Sequence, residues 1–336
     1  MNSIDGLLFR IPRITLIPHI TPLHYLPGIS RYLGVDVFIK RDDLTGFSIG
    51  GNKIRKLEYI LSDAISRGAD TIITMGAIHS NHALTTAMAA RHLGMDVILI
   101  LREGRDSRIA GNRLIEELLD IPVEIYRVGS TEELVSISEE IARNLEREGK
   151  RPYVIPPGGA SVLGAMGYLR ASSEIHEQIR NMGIHIDSVV VAVGSGGTYA
   201  GLLMGSGKLN PDVRVIGIDV GGFKKHLMRD VEGLIEETSA FLGVDFERDL
   251  SIYDYGFGAY GRITREVVET ITLVASRDGI LLDPIYTAKA FYGLMDLARK
   301  GKLGRSILFV HTGGIPALFH YGDWMLEIKG GVNHGD

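Results

Sequence analysis

Lys53, the cluster Ser80-Asn81-His82 and the small residues from Gly194 to Thr198 are the groups in this chain best placed to do chemistry. Lys53 lies in KRDDLTGFSIGGNKIRKLEY, where Gly50 and Gly51 free the backbone and Asn52 suits the N-cap of a helix. From Ile54 onward, Leu57, Ile60, Leu61, Ala64 and Ile65 recur at three- and four-residue spacing, which predicts an amphipathic helix. Lys53 then falls in the first turn, where the macrodipole is positive and a cation is disfavoured. A lysine in that position tends to lose its charge, and a neutral amine is a nucleophile able to form a Schiff base. An isolated lysine is more often a solvated surface residue, so the assignment depends on its company.

The first companion is VVVAVGSGGTYAGLLMG, a strand, a glycine-rich turn and a helix start. The N–H groups of Gly194, Ser195, Gly196, Gly197 and Thr198 could converge on an anion at the helix N-terminus, with two hydroxyls as further donors. A dinucleotide fingerprint needs G-x-G-x-x-G, and Tyr199 stands at its third glycine. Asp219, at the end of the next strand, is weak support for a ribose-binding acid. No Gly-Lys-Ser/Thr closes the loop as a nucleoside triphosphate site requires. A small terminal phosphate fits better than a pyrophosphate.

In GAIHSNHALTTAMAA, Ser80 follows a strand and opens a helix, so its simplest role is to cap it. Ser80, Asn81 and His82 also bring two neutral donors, an imidazole and free backbone N–H groups to one helix start, which suits a substrate carboxylate. His79 and His82 lack the carboxylates a metal site would need. A third turn, His311-Thr312-Gly313-Gly314, follows the run SILFV. All three turns fall at strand C-terminal ends, where open α/β sheets collect ligands.

The elements that must position these groups alternate short β-rich and helical runs. Strands are expected at 71–75, 96–101, 123–128, 188–193, 213–219 and 306–310, and their continuous apolar character is that of parallel sheets buried on both faces. Helices are expected from near Ser80, around 108–119 and over 132–148. Proline and glycine in RPYVIPPGGAS, 151–161, mark the best linker candidate. A smaller α/β domain is therefore expected over 55–160, with 1–54 and 161–336 forming a larger, discontinuous one. Gly330 onward is expected to be a loose tail.

With 336 residues, 45% apolar and 23% charged, the chain reads as a soluble globular protein. The 41 acids and 36 bases leave a charge of -5, with no basic stripe for nucleic acid and no polybasic cluster for membrane. No apolar run is long enough to span a bilayer, and the N-terminus lacks a signal-peptide pattern. The absence of cysteine excludes disulfides and thiolate chemistry and fits the cytoplasm.

Taken together, KRDDLTGFSIGGNKIRKLEY, SNH, GSGGTYAG, DPIYTAKA and HTGG resemble, in order and spacing, the fold-type II enzymes dependent on pyridoxal 5′-phosphate (PLP). The nearest branch is that of 1-aminocyclopropane-1-carboxylate (ACC) deaminase and D-cysteine desulfhydrase. The resemblance covers nearly the whole chain. It implies two open, twisted, mostly parallel sheets flanked by helices, with the cofactor in the cleft between domains. It implies that Lys53 holds PLP as a Schiff base, that Asn81 bonds its phenolic oxygen and that residues 194–198 hold its phosphate. Ser80, Asn81 and His82 would clamp the substrate carboxylate, and the protein would be a homodimer. Tyr260, in YDYGFGAYGRIT, and Tyr286, after Asp283-Pro284, read alone as packing aromatics; the resemblance makes both catalytic candidates, as it does Ser80.

The resemblance further implies that the residue after Tyr286 faces the pyridine nitrogen. ACC deaminases are similar to one another in carrying glutamate there and leucine in the later H-x-G-G turn, whereas this chain has Thr287 and Thr312, as D-cysteine desulfhydrases do. A hydroxyl cannot hold the ring nitrogen protonated, so the electron sink is weaker, which suits β-elimination of a good leaving group better than opening a cyclopropane. D-cysteine is the expected substrate and ACC the alternative, with D-serine, cysteate and L-cysteine sharing the same recognisable groups. Two other classes are a nucleotide-binding dehydrogenase, disfavoured by the broken glycine fingerprint, and a PLP carrier without turnover.

Overall fold

The computed structural model describes residues 4–104, 106, 108–222, 224–246 and 249–331; the last five residues of the expected tail lie outside them. Ten strands are formed among these: β1 (Leu23–Tyr25), β2 (Asp36–Arg41), β3 (Thr71–Ala77), β4 (Asp96–Arg102), β5 (Val123–Tyr126), β6 (Pro152–Ile155), β7 (Ser188–Val193), β8 (Arg214–Asp219), β9 (Ser251–Asp254) and β10 (Ser306–His311). They make a six-stranded sheet, β1-β2-β10-β7-β8-β9, and a four-stranded sheet, β5-β4-β3-β6. Every pairing is parallel except β1 with β2.

The continuous apolar runs are buried on both faces, as parallel strands flanked by helices require. In β7, Val189, Val191 and Val193 enter the core shared with helices Val162–Met182 and Gly197–Leu209. Val190 and Ala192 enter the opposite core, with helices Arg265–Asp278 and Thr287–Arg299. The smaller sheet has the same construction: Lys53–Ser66 and Asn81–His92 pack on one face and Thr131–Arg147 on the other.

The six expected strands form within two residues of their expected bounds. One expectation needs correction. RPYVIPPGGAS is a connection only in its second half: 156–161 lead on to helix Val162–Met182, whereas Pro152–Ile155 is the edge strand β6, paired with β3. Proline is tolerated there because an edge strand leaves one row of N–H groups unused. β1, β2 and β9 were not anticipated, since each is short or carries charge among its apolar residues. All strands of the smaller sheet come from 71–155 and all those of the larger from 23–41 and 188–311; a division at 54/55 and 160/161 stays a proposal.

Helix Lys53–Ser66 joins the two sheets. Ile54, Leu57, Ile60 and Leu61 are buried in the smaller core. Arg55 turns the other way, donating to Asp42 Oδ1 at 2.8 Å and to Glu174 Oε1 at 2.9 Å. Asp42 also accepts from Thr21 and Tyr168, and its C=O accepts from the N–H of Gly51. Arg41 pairs with Asp43, so the Arg41-Asp42-Asp43 segment fixes the loop that delivers the lysine. Gly50, at φ 75°, could carry no Cβ without striking Asp43 O.

Candidate active site

The C-terminal edges of both sheets open onto one cleft of about 560 Å³. Its walls bring together Lys53, Ser80, Asn81, His82, Gly194, Ser195, Gly196, Thr198, Tyr260, Tyr286 and Thr312, from segments far apart in sequence. Gly197 and Thr287 are buried just behind the wall.

Lys53 is the first residue of its helix, as the glycine hinge predicts. Burial pushes its amine down to about 8, partly opposed by the Asp283 carboxylate. Desolvation, more than the helix dipole, is thus the physical cause. Asn52 occupies the N-cap position but in helical backbone geometry, without capping; its Nδ2 instead donates to Thr198 Oγ1 at 2.9 Å, tying the lysine turn to the glycine turn.

Lys56 is a functional candidate that the sequence reading missed. It is fully buried and donates to Gly158 O at 3.1 Å. A Cβ added to Gly197 would lie 2.9 Å from Lys56 Nζ, so that amine lies against the glycine turn. Burial, and then the charge of Lys53, hold Lys56 well below the ordinary lysine range. The i, i+3 spacing from Lys53, which puts both on one helix face, was the available signal.

Ser80 caps helix Asn81–His92, accepting from the Ala83 N–H at 3.2 Å, and its own proton stays free to donate into the cleft. Asn81 Oδ1 accepts from Asn112 Nδ2 at 2.8 Å, which leaves the Asn81 amide N–H₂ to point elsewhere. The His82 ring turns inward, with Nε2 3.0 Å from Thr74 Oγ1, and burial lowers its pKa well below the usual value, so it is neutral. What His82 offers the helix start is therefore its backbone N–H.

Tyr260 and Tyr286 meet hydroxyl to hydroxyl at 2.7 Å. Burial raises both phenols, Tyr286 further, so both are neutral proton donors at ordinary pH. Lys289, fully buried, holds the Tyr260 loop: Nζ donates to Val220 O at 3.1 Å, Gly256 O at 3.0 Å and Ala259 O at 3.2 Å.

Asp283 accepts from the N–H groups of Ile285, Tyr286 and Thr287 and from Thr287 Oγ1 at 2.7 Å. The Thr287 hydroxyl is thus already engaged and fully buried. Thr312 lines the cleft, and its C=O accepts from the Asn52 N–H at 3.0 Å.

The family profile described as "Pyridoxal-phosphate dependent enzyme" matches residues 14–313. The chain belongs to that family. This PLP-dependent enzyme is 56% identical over 327 residues to a Pyrococcus abyssi protein provisionally named 1-aminocyclopropane-1-carboxylate deaminase, covering 97% of this chain and 98% of that one. It is 42% identical over 324 residues to D-cysteine desulfhydrase of Klebsiella pneumoniae, covering 94% and 97%. Among solved structures, an ACC deaminase homologue superposes with a TM-score of 0.94 at 54% identity, over 98% of this chain and 99% of the other. The processed form of threonine deaminase isoform 2 from Solanum lycopersicum, at 18% identity and a TM-score of 0.68 over 98% and 89%, shares the fold. The enzyme is a lyase of the PLP class, as its relatives' names indicate.

The residues fit the cofactor. Lys56, a buried amine with no carboxylate partner among the described residues, would carry a proton stably only beside an anion, and the N–H-rich turn next to it calls for the same anion. Lys53, with its amine brought down to about 8, is suited to a carbonyl carbon. The Asn81 amide, oriented by Asn112, is a donor for a phenolate oxygen.

Proposed function

We propose that the enzyme catalyses β-elimination from a small D-amino acid, D-cysteine foremost, giving pyruvate, hydrogen sulfide and ammonia. The observation that carries this reading is the neutral hydroxyl of Thr287 after Tyr286, with the neighbouring Asp283 carboxylate spent on three backbone N–H groups and that hydroxyl. PLP, when bound, supplies the electron sink that accepts the pair left by the α-proton. With no glutamate at residue 287 to hold a ring proton, the demand must stay modest, and expulsion of thiolate meets that limit.

The chain's groups divide the remaining work. The turn 194–198 and Lys56 would hold the phosphate, and Asn81 the phenolic oxygen. Ser80 Oγ–H and the N–H groups of Asn81 and His82 would take the substrate carboxylate. With its pKa lowered by burial, Lys53 gives up its proton more readily than an ordinary lysine and can act as the base that removes the α-proton. The Tyr260–Tyr286 pair, neutral and hydrogen-bonded, can pass a proton to the departing sulfur. Water then completes hydrolysis to pyruvate and ammonia.

ACC deaminase activity is the second reading, favoured by the name of the Pyrococcus abyssi relative. Incubating the holoenzyme with D-cysteine, L-cysteine, D-serine, cysteate and ACC separates the two. Sulfide and pyruvate from D-cysteine, with no 2-oxobutanoate from ACC, is the expected result. Ring opening as fast as desulfuration would overturn the reading. A homodimer located in the cytoplasm belongs to the same proposal; sedimentation and cell fractionation test those parts. No helix among the described residues is long and apolar enough to cross a membrane.

A further inference from the structure

Arg102 ends β4, at the same C-terminal edge as the ligand-facing turns. Arg127 pairs with Glu103, Arg108 with Asp106, and Arg113 with Glu116 and Glu117, while Arg262 and Arg265, also on the cavity wall, are exposed. Arg102 is half-buried, yet forms no ion pair with any described carboxylate. It lines the cleft and also an adjoining cavity of about 810 Å³, and Asn81, Tyr260 and Tyr286 stand with it at the junction. Its charge reaches the Tyr260 phenol, opposing the effect of burial there.

The other anion holders of the cleft are already accounted for. The 194–198 turn and Lys56 face the phosphate, and the helix start at Ser80 faces the α-carboxylate. A further unpaired guanidinium beside an open cavity has no partner in a substrate whose side chain is a bare thiol. We propose that Arg102 and the adjoining cavity form a subsite for an anionic group, a carboxylate or sulfonate, on the side chain of the amino-acid substrate. The inference rests on the amino-acid reading of the cleft given above. A guanidinium binds either oxyanion through two parallel N–H donors, and the cavity has room for a side chain several atoms longer than that of cysteine.

Turnover of such a substrate needs no added oxidant or reductant. With S-carboxymethyl-D-cysteine, Lys53 takes the α-proton and the Cβ–S bond breaks with its electron pair going to sulfur. Thioglycolate leaves after gaining a proton, and water yields pyruvate and ammonia.

Calorimetry on the holoenzyme with D-glutamate and D-norvaline, neither of which carries a leaving group at Cβ, tests binding alone. D-glutamate should bind at least about tenfold tighter, as a charge-assisted hydrogen bond provides. Arg102→Leu should bring the ratio near one, and Arg102→Lys should restore part of it. In turnover, S-carboxymethyl-D-cysteine should be favoured over S-ethyl-D-cysteine by the wild type and not by Arg102→Leu. A wild-type ratio near one overturns the subsite whether or not the variant folds. A ratio unchanged in Arg102→Leu overturns it too, as does equal weakening of both ligands, which would put Arg102 on the α-carboxylate. An enzyme that prefers D-glutamate but makes no pyruvate from D-cysteine would sink the proposed function and leave the subsite standing.

Discussion

At the scale of single residues, the site depends on amines and phenols driven from their ordinary ionisation by burial. Lys53 is a cation whose folded-state pKa is lowered, to about 8, so its neutral, reactive form grows as pH rises through that value. In cofactor-free protein, the rate of PLP capture should rise with a midpoint near pH 8, read from the growth of the violet absorption band. A midpoint above pH 10 would show an ordinary, solvated lysine. Borohydride should then fix the cofactor on Lys53, and mass spectrometry finding it on Lys56 or Lys289 would reassign the nucleophile. The phenol pair gives a second expectation. Tyr286→Phe removes one hydroxyl of the 2.7 Å pair and should lower kcat by about 10²–10⁴ while leaving PLP affinity unchanged. Equal loss of cofactor affinity would make Tyr286 a binding residue.

At the scale of elements, the glycine turn and the Tyr260 loop carry separate expectations. Gly196 sits at φ 83° with a would-be Cβ 2.6 Å from Val231, so a bulky residue there strains the fold itself. Gly197 has ordinary backbone angles, and its Cβ would crowd the flexible tip of Lys56 at 2.9 Å and touch Ala160 at an ordinary 3.4 Å. Gly197→Val should therefore weaken PLP binding, measured by equilibrium dialysis, with little loss of Tm, whereas Gly196→Val should lower both. If Gly197→Val costs only stability, the turn is structural. Lys289→Met removes a donor from three carbonyls, and Val220 O, unlike Gly256 O and Ala259 O, has no backbone N–H among the described residues to fall back on, at about 1–3 kcal/mol for a carbonyl left unpaired. It should lower thermal stability and kcat together, and an unshifted melting curve would mean that the loop is held by something else.

Much of this scale was legible in the sequence. The apolar runs of β3, β4, β7, β8 and β10 and the Gly50-Gly51 hinge state their geometry through residue type alone. β6 was hidden because its proline reads as a breaker unless the strand is known to lie on an edge, a tertiary fact. Lys56, Asn112 and Lys289 were hidden for a similar reason: their roles are partnerships across 102, 31 and 30 or more residues of sequence. Nor could the sequence show that the Thr287 hydroxyl, expected at the ring edge, is bonded to Asp283. Thr287→Glu would therefore bring two carboxylates together, and one would be held protonated.

At the scale of the whole molecule, both sheets contribute walls to one cleft, so a ligand there ties them together. Saturating PLP at about 1,000 times its Kd should add roughly 4 kcal/mol to the unfolding free energy. Calorimetric scans with and without cofactor check this, and a single domain shifting while the other melts unchanged would contradict it. The strand order has a consequence in time as well. β10, residues 306–311, lies between β2 and β7, so the larger sheet cannot be assembled until residue 311 has been made. At ribosomal rates, β2 waits roughly 10–50 s with one of its edges unclaimed. A nascent chain halted before residue 306 would have neither a complete sheet nor Thr312, and so no cleft in which its lysine could react. Synthesis thus delivers the enzyme's reactivity all at once, and an abandoned fragment carries none of it.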